Sequence, residues 1–436
     1  MFRCLLATML SILMAPDVAL AETAPSECTP TYYQLADGSG VDVAPVADGQ
    51  YRWRRLDGTS GLLSPDIGDQ WSSSMGWTGR ADGKIIDLAG CAKGEITFDG
   101  VPGHRVDFDT KEETFVSRDA HLAGRLILPA GRRTVPIVVL VHGSEDSSAL
   151  RFFALQRLLP AQGIGVFVYD KRGTGQSGGT FTHDLHLLAA DASAALAVAK
   201  RLAGVRAGRM GYYGTSQGGW TAPLAASLSP PDFIIVGYGL AVSPIEEDRE
   251  ALALDMTRHG FGAGEIAKAL EIGSAAQAIV RQNFQSGYEA FRLARDKYRG
   301  EPWFRFVRGN VTGIILQTPE ADLRANGPRL FAGLIPDYDP MPVLQKLKTP
   351  QLWILGGEDI DAPPIETRRR LLALKKRGSP ITVVLYPHAE HGLYDFEADG
   401  ETRLSTRQPA SLQTLLATFA SGQPLGMTYD DAEVDR

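Results

Sequence analysis

The sequence predicts an α/β protein, with a mostly parallel central sheet, helices on both of its faces, a helical insertion and a small β-rich domain in front. Three observations carry this. From about residue 106, strand-like and helix-like stretches alternate, the pattern of a sheet covered on both faces. Val135–Val141 is a nearly continuous apolar run, as a parallel strand buried on both faces requires. Gly214-Thr215-Ser216-Gln217-Gly218 fits G-x-S-x-G and stands between a short strand, Arg209–Tyr213, and a small-residue helix, Gly219–Ala226. A serine on so sharp a strand-to-helix turn projects its hydroxyl above the sheet edge.

The elements follow in order. Arg3, the apolar stretch Cys4–Met14 and Ala19-Leu20-Ala21 read as a signal peptide cleaved before Glu22, so the protein is expected to be exported to the periplasm or beyond. The apolar stretch is too short to span a bilayer. Residues 22–105 are rich in Gly, Asp, Ser and Thr, with strand-like runs at Gln50–Leu56, Lys84–Leu88 and Glu95–Phe98 and turn pairs at Asp57-Gly58 and Asp99-Gly100. Trp53, Trp71 and Trp77 read as packing residues of this domain before they read as ligand-facing ones. Cleavage leaves two cysteines, Cys28 and Cys91, and an even count in an exported chain predicts a disulfide between them. Glu113–Ser117 and His121–Pro129 open the sheet as antiparallel strands. Residues 243–345 then break the alternation with three helical stretches, starting near Pro244, Glu265 and Tyr288.

A serine hydroxyl needs a base, a group that orients the base and donors for the oxyanion. An acid and a histidine, each just after a strand, are both present downstream of Ser216. Leu352–Leu355 leads into Gly356-Gly357 and then Glu358, Asp359, Ile360 and Asp361, of which Asp359 is favoured and Asp361 and Glu358 remain open. Ile381–Tyr386 leads into His388 and His391, and His391, followed by glycine, is the favoured base. The strand Val135–Val141 ends in His142-Gly143-Ser144-Glu145.

These landmarks, with Asp170-Lys171-Arg172-Gly173-Thr174-Gly175-Gln176-Ser177, resemble the α/β-hydrolase superfamily in their order. The resemblance covers roughly residues 106–242 and 346–425 and is similar to exported bacterial esterases and to acyl-aminoacyl or prolyl-type peptidases. It implies a catalytic domain split into 106–242 and 346–425 with a helical cap over 243–345, and the residues themselves add a signal peptide over 1–21, a β-rich domain over 22–105 and a C-terminal tail over 426–436. It implies Ser216 as nucleophile, His391 as base, Asp359 as orienting acid, and the backbone N–H groups of Ser144 and Gln217 as oxyanion donors, with His142 holding the loop. Phe261, Trp303, Phe304 and Phe306 of the cap are open as lining of an acyl pocket.

The expected chemistry is acyl transfer to water, on an ester or, as the alternative, on a short peptide or a thioester. Glu246-Glu247 would suit a substrate amine in the peptide reading, with surface solvation as the default role. Gly173–Gly178 also fits G-x-G-x-x-G, but the next helical stretch begins only near Asp184, which disfavours a dinucleotide site. Nothing calls for a metal or an organic cofactor. A net charge of −7 with no basic run argues against nucleic acid.

Overall fold

The computed structural model describes residues 31–46, 50–66 and 70–435; the expected signal peptide and Cys28 lie outside them. The first part is a closed barrel of eight strands in sequential order: β1 (Thr31–Leu35), β2 (Gly40–Pro45), β3 (Tyr51–Arg54), β4 (Ser60–Pro65), β5 (Gln70–Met75), β6 (Ala81–Asp87), β7 (Glu95–Phe98) and β8 (Val101–Arg105). β8 pairs back onto β1, with Tyr33 opposite Arg105, so no edge strand is left open. Asp99 and Gly100 both have positive φ, the requirement of a two-residue hairpin, here between β7 and β8. Tyr33, Val41, Trp53, Leu63, Trp71, Ile86 and Cys91 fill the interior. Trp53 and Trp71 therefore pack the barrel, as read from the sequence. Trp77 leaves it and meets Tyr394 of the catalytic domain.

The second part is a nine-stranded sheet. Its strands are β9 (Asp109–Ser117), β10 (Ala120–Leu128), β11 (Val135–Val141), β12 (Gly165–Tyr169), β13 (Ala207–Thr215), β14 (Phe233–Gly237), β15 (Gln351–Gly356), β16 (Ile381–Tyr386) and, far downstream, β19 (Glu433–Asp435). The order is β19-β16-β15-β14-β13-β11-β12-β10-β9. From β12 to β16 all neighbouring pairs are parallel, while β9, β10 and β19 run antiparallel at the two flanks. The strands bury both faces. Ile137, Val139 and Val141 of β11 join the core on one side, and Val138 and Leu140 join the core on the other.

Short helices α1 (Ala149–Phe152) and α2 (Leu155–Leu158) follow β11, and α3 (Leu185–Ala203) and α4 (Gly218–Leu228) come later. Five helices interrupt the sheet after β14: α5 (Pro244–Arg258), α6 (Ala263–Arg281), α7 (Tyr288–Tyr298), α8 (Thr312–Gln317) and α9 (Glu320–Leu330). They enclose a core of their own, built on Leu252, Ile272, Ile279, Phe291 and Ile315. Trp303 and Phe306 are buried in that core, and Phe261 and Phe304 pack against it. α10 (Met341–Lys346) straddles the expected end of the cap at residue 345; its Leu344 belongs to the sheet core, and the helix lies against α4. α11 (Pro364–Lys376) follows β15, and α12 (Leu412–Ala420) closes the opposite face from α3, α4 and α11. Among the described residues, no helix is long and apolar enough to cross a membrane.

Two segments depart from expectation. The presumed tail at 426–436 carries β19, which pairs with the outer edge of β16 through Val434 opposite Val384. Arg368 holds this strand at 2.7 Å from both Glu433 and Asp435. The edge of β16 would otherwise present unpaired backbone groups. A hairpin of β17 (Asp395–Asp399) and β18 (Thr402–Arg407) also follows the His391 loop. It faces the barrel, where Trp77 N–H donates to the Ser405 carbonyl at 2.8 Å and Gln408 N–H to the Gly58 carbonyl at 3.0 Å. Asp42 of β2 is fully buried and takes a bidentate contact from Arg157 of α2, with Arg54 3.8 Å away.

Candidate active site

Ser216 occupies the turn between β13 and α4 with φ +52, a left-handed conformation rare for a residue with a side chain. The glycines around it are steric requirements. A Cβ on Gly214 would strike the Gly218 carbonyl, and one on Gly218 would come within 2.6 Å of the Val141 carbonyl. Ser216 N–H donates to the Gly237 carbonyl at 3.1 Å, and its own carbonyl accepts from Gly219 N–H at 2.7 Å. The turn is thus pinned at both ends, and Ser216 remains partly exposed.

His391, in the loop after β16, places Nε2 3.2 Å from Ser216 Oγ. Its Nδ1 lies 2.9 and 3.1 Å from the two oxygens of Asp359, which follows β15. Asp359 is 0% exposed, and its Oδ1 also accepts from the N–H groups of Asp361 at 2.9 Å and Ala362 at 2.7 Å. With Nδ1–H given to the carboxylate, Nε2 is left as the acceptor for the serine proton. Burial alone would push His391 down, but the charge and hydrogen bond of Asp359 outweigh it and hold the imidazole above its ordinary value.

The other candidates fall elsewhere. Asp361 gives Asp359 a backbone N–H, and its carbonyl accepts from Asn310 Nδ2 at 2.7 Å. Glu358 is bound by Arg258 at 2.6 Å and by Arg403 at 3.4 Å. The His388 side chain is 80% exposed and faces Asp431 at 3.9 Å. Glu246 caps α5 by accepting from Ser243 N–H at 2.8 Å and is held by Arg370 at 2.6 Å, so it is committed within the protein. Glu247 accepts from Asn310 Nδ2 at 3.0 Å, and burial pushes its carboxyl well above the usual range.

Gly143 lies against Ser216: a Cβ placed on it would be 3.4 Å from Ser216 Cβ. Ser144 follows it, and Gln217 stands at the N-terminus of α4. Among the described residues, neither backbone N–H donates a hydrogen bond within the protein. His142 is buried and donates Nε2–H to the Tyr169 carbonyl at 2.5 Å, with Nδ1 3.4 Å from Glu145, which suits a loop-holding role. In Gly173–Gly178 most of the backbone N–H groups are already spent. Gly173 donates to the Gly178 carbonyl, Thr174 to Lys171, Gln176 to the Asp170 carboxylate and Gly178 to His121. α3 starts only at Leu185, capped by Asp184, so this turn is no phosphate cradle.

Three neighbours of the site carried no legible role in the sequence. The Tyr238 ring stands edge-on to His391 at 4.9 Å, and its φ of +41 comes from the sharp exit of β14. His183 accepts at Nδ1 from the Gln217 side-chain amide at 3.0 Å. Burial, with the charge of Lys171, pushes His183 down to about 4 and keeps that ring neutral. Lys171 donates Nζ–H to the Gly143 carbonyl at 2.9 Å. Lys171 stands inside the Asp170–Ser177 stretch that marked the fold, whereas no pattern flags His183 or Tyr238.

A family model described as serine aminopeptidase, S33, matches residues 132–258, the segment that holds Ser144, Ser216 and α5. The acylamino-acid-releasing enzyme of Rattus norvegicus is 35% identical over 66 residues, 15% of this chain and 9% of that protein. Its Mus musculus counterpart is 33% identical over 70 residues, 16% and 10% of the two chains, so the match spans about a tenth of these curated relatives. Among solved structures, the chain is similar to the Pyrococcus horikoshii acylaminoacyl peptidase, with TM-score 0.45, 17% identity, and coverage of 88% of this chain and 57% of that one. It is also similar to the proline iminopeptidase of Mycobacterium smegmatis, with TM-score 0.42, 19% identity, and coverage of 71% and 97%. A Pyrococcus furiosus esterase gives TM-score 0.41 and 16% identity over 65% of this chain and 84% of that one.

Proposed function

We propose that the chain is a serine hydrolase of the α/β-hydrolase superfamily, cleaving carboxylic esters through an acyl-enzyme on Ser216, a reading supported by the family model that matches residues 132–258. The observation that carries the proposal is His391, which has one ring nitrogen 3.2 Å from Ser216 Oγ and the other 2.9 Å from Asp359. His391 takes the hydroxyl proton as Oγ attacks the acyl carbonyl. The oxyanion accepts from the N–H groups of Ser144 and Gln217. His391 then gives its proton to the departing alkoxide, and a water activated by the same imidazole releases the acid. Asp359 stays ionised throughout, holding the tautomer and stabilising the imidazolium.

A peptide substrate is the second reading, favoured by the description of the matching family model and by the acylamino-acid-releasing enzymes aligned with part of this chain. The ester reading is preferred because Glu246, half of the acidic pair that would hold a substrate amine, is bound to Arg370. Acyl esters of graded chain length, assayed beside aminoacyl amides, separate the two. Faster relative hydrolysis of the amides would reject the ester reading. Ser216→Ala should lower kcat by about 10⁶ and abolish labelling by a fluorophosphonate. Retained turnover in that variant would end the serine hydrolase proposal.

Export and the Cys28–Cys91 bridge belong to the same proposal. Cys91 is buried inside the barrel, and Cys28 precedes the described residues. A mature protein starting at Glu22, whose mass gains two alkyl groups only after reduction, is the expected result of mass spectrometry. An uncleaved chain, or two cysteines alkylated without reduction, would contradict it.

A further inference from the structure

We infer that Lys171 is a positioning residue of the oxyanion hole, acting through the Gly143–Ser144 peptide. The inference rests on the hydrolase reading above and deepens it. The Gly143 carbonyl and the Ser144 N–H are two ends of one planar peptide group, and in a trans peptide they point in opposite directions. Lys171 Nζ donates to the carbonyl end at 2.9 Å. Holding that end fixes the direction of the N–H end, which is the proposed oxyanion donor. A cation on the carbonyl oxygen also draws electron density from the nitrogen, so the N–H becomes a stronger donor, as in any chain of polarised hydrogen bonds.

The setting makes this contact count. Lys171 is 2% exposed, so water does not screen its charge. Its ammonium also lies 4.7 Å from the centre of the Phe181 ring. The charged groups facing it are Glu145 and Asp146 on the oxyanion loop, with His183 kept neutral on the loop before α3. Its chain neighbours turn elsewhere. Asp170 accepts from Ser148 Oγ, Leu150 N–H and Gln176 N–H. Arg172 is bound by Asp191 and Asp119. Burial pushes Lys171 down to about 8, against the opposing pull of Glu145 and Asp146. The ammonium is therefore present at neutral pH and is lost in mildly alkaline solution, and the donor it supports weakens with it.

Removing an oxyanion donor outright costs about 10²–10³ in turnover, so weakening one should cost about 10–100-fold. Lys171→Met should lower kcat by that factor with KM nearly unchanged. It should weaken binding of a trifluoromethyl ketone, which forms a tetrahedral oxyanion, by a similar factor. The fall in kcat/KM near pH 8 expected of the wild type should disappear in Lys171→Met. In Lys171→Arg, whose guanidinium stays charged, the fall should move to higher pH while most of kcat is kept. An unchanged kcat in Lys171→Met, or an unchanged alkaline limb in both variants, would overturn the inference. If Lys171→Met melts below the assay temperature, the Lys171→Arg profile decides alone. Fluorophosphonate labelling of the wild type keeps the two levels apart. A labelled wild type with an indifferent Lys171 defeats only this inference, whereas an unlabelled wild type defeats the hydrolase reading beneath it.

Discussion

Trp77 of the barrel meets Tyr394 edge-on, with ring centroids 4.6 Å apart, three residues beyond His391. The Arg52 guanidinium lies over the Trp77 ring at 3.9 Å and donates to the Gly76 carbonyl at 2.7 Å. The Tyr394 carbonyl accepts from Glu390 N–H at 2.8 Å, and the Gly392 carbonyl accepts from Gln408 Nε2 at 2.9 Å. The loop that presents His391 is therefore braced partly by the other domain.

Trp77→Ala should loosen that brace. A displacement of about 1 Å in a reacting group can cost 10²-fold, so a loss in kcat of about tenfold is expected, with a small change in KM. The aromatic contact itself contributes on the order of 1 kcal/mol. Steady-state kinetics beside a thermal melt test this. A variant that melts earlier but turns over normally would reduce Trp77 to simple packing.

Asp359 and Asp361 should separate cleanly. Asp359→Asn should cost about 10⁴ in kcat, because an amide at that place favours the wrong imidazole tautomer. Asp361→Asn should cost less than about tenfold, since its contribution to Asp359 is a backbone N–H that the substitution keeps. Equal losses in the two variants would refute the assignment of the acid.

The acid limb of activity should lie above pH 6.5. The neutral imidazole is the working form, and Asp359 holds His391 above that ordinary value. Activity is thus lost as pH falls through the raised pKa. The sign for stability is opposite: this histidine stabilises the fold most fully below its unfolded pKa, and the contribution disappears as pH rises through the folded one. NMR titration of His391 in Ser216→Ala should place it above 6.5. Adding Asp359→Asn should bring it below, since burial then acts without its counterweight. No movement between the two would contradict the cause assigned here.

Asp42→Ala should destabilise the protein by about 3–5 kcal/mol, the cost of leaving a buried charge without its partner. Arg157 is buried on the catalytic side, and Arg54 stands near it on the barrel side. Chemical denaturation measures the loss, and kcat of the folded fraction should stay within about twofold. A loss under about 1 kcal/mol would mean that water reaches the pair.

The sheet and the grouping of Ser216, His391 and Asp359 were legible for one reason. Strands buried on both faces, such as Val135–Val141 and Phe233–Gly237, must be apolar throughout, and Ser216, Asp359 and His391 follow the ends of β13, β15 and β16 in the same sheet. The elbow glycines are equally forced by close backbone approach. Closure of the barrel was not legible, because pairing of β1 with β8 is a long-range register that no local pattern encodes. The β17–β18 hairpin is mostly polar and half-buried or exposed, so it carries little periodicity. β19 has three residues, too few for any pattern. Lys171 and His183 escaped because their roles come from burial beside the oxyanion loop, and burial of a charged or polar residue leaves no trace in its neighbours.

The seam between barrel and hairpin has a practical consequence for anyone trimming this chain. A truncation starting near residue 106 would strip the Ser405 carbonyl and the Gln408 N–H of their partners. It would uncover the Tyr394 ring and leave the Arg157 guanidinium with no counterion from Asp42. The shortened protein would keep every residue of the triad and still lose one wall supporting its histidine. A minimal enzyme cut from this sequence should therefore begin before Thr31.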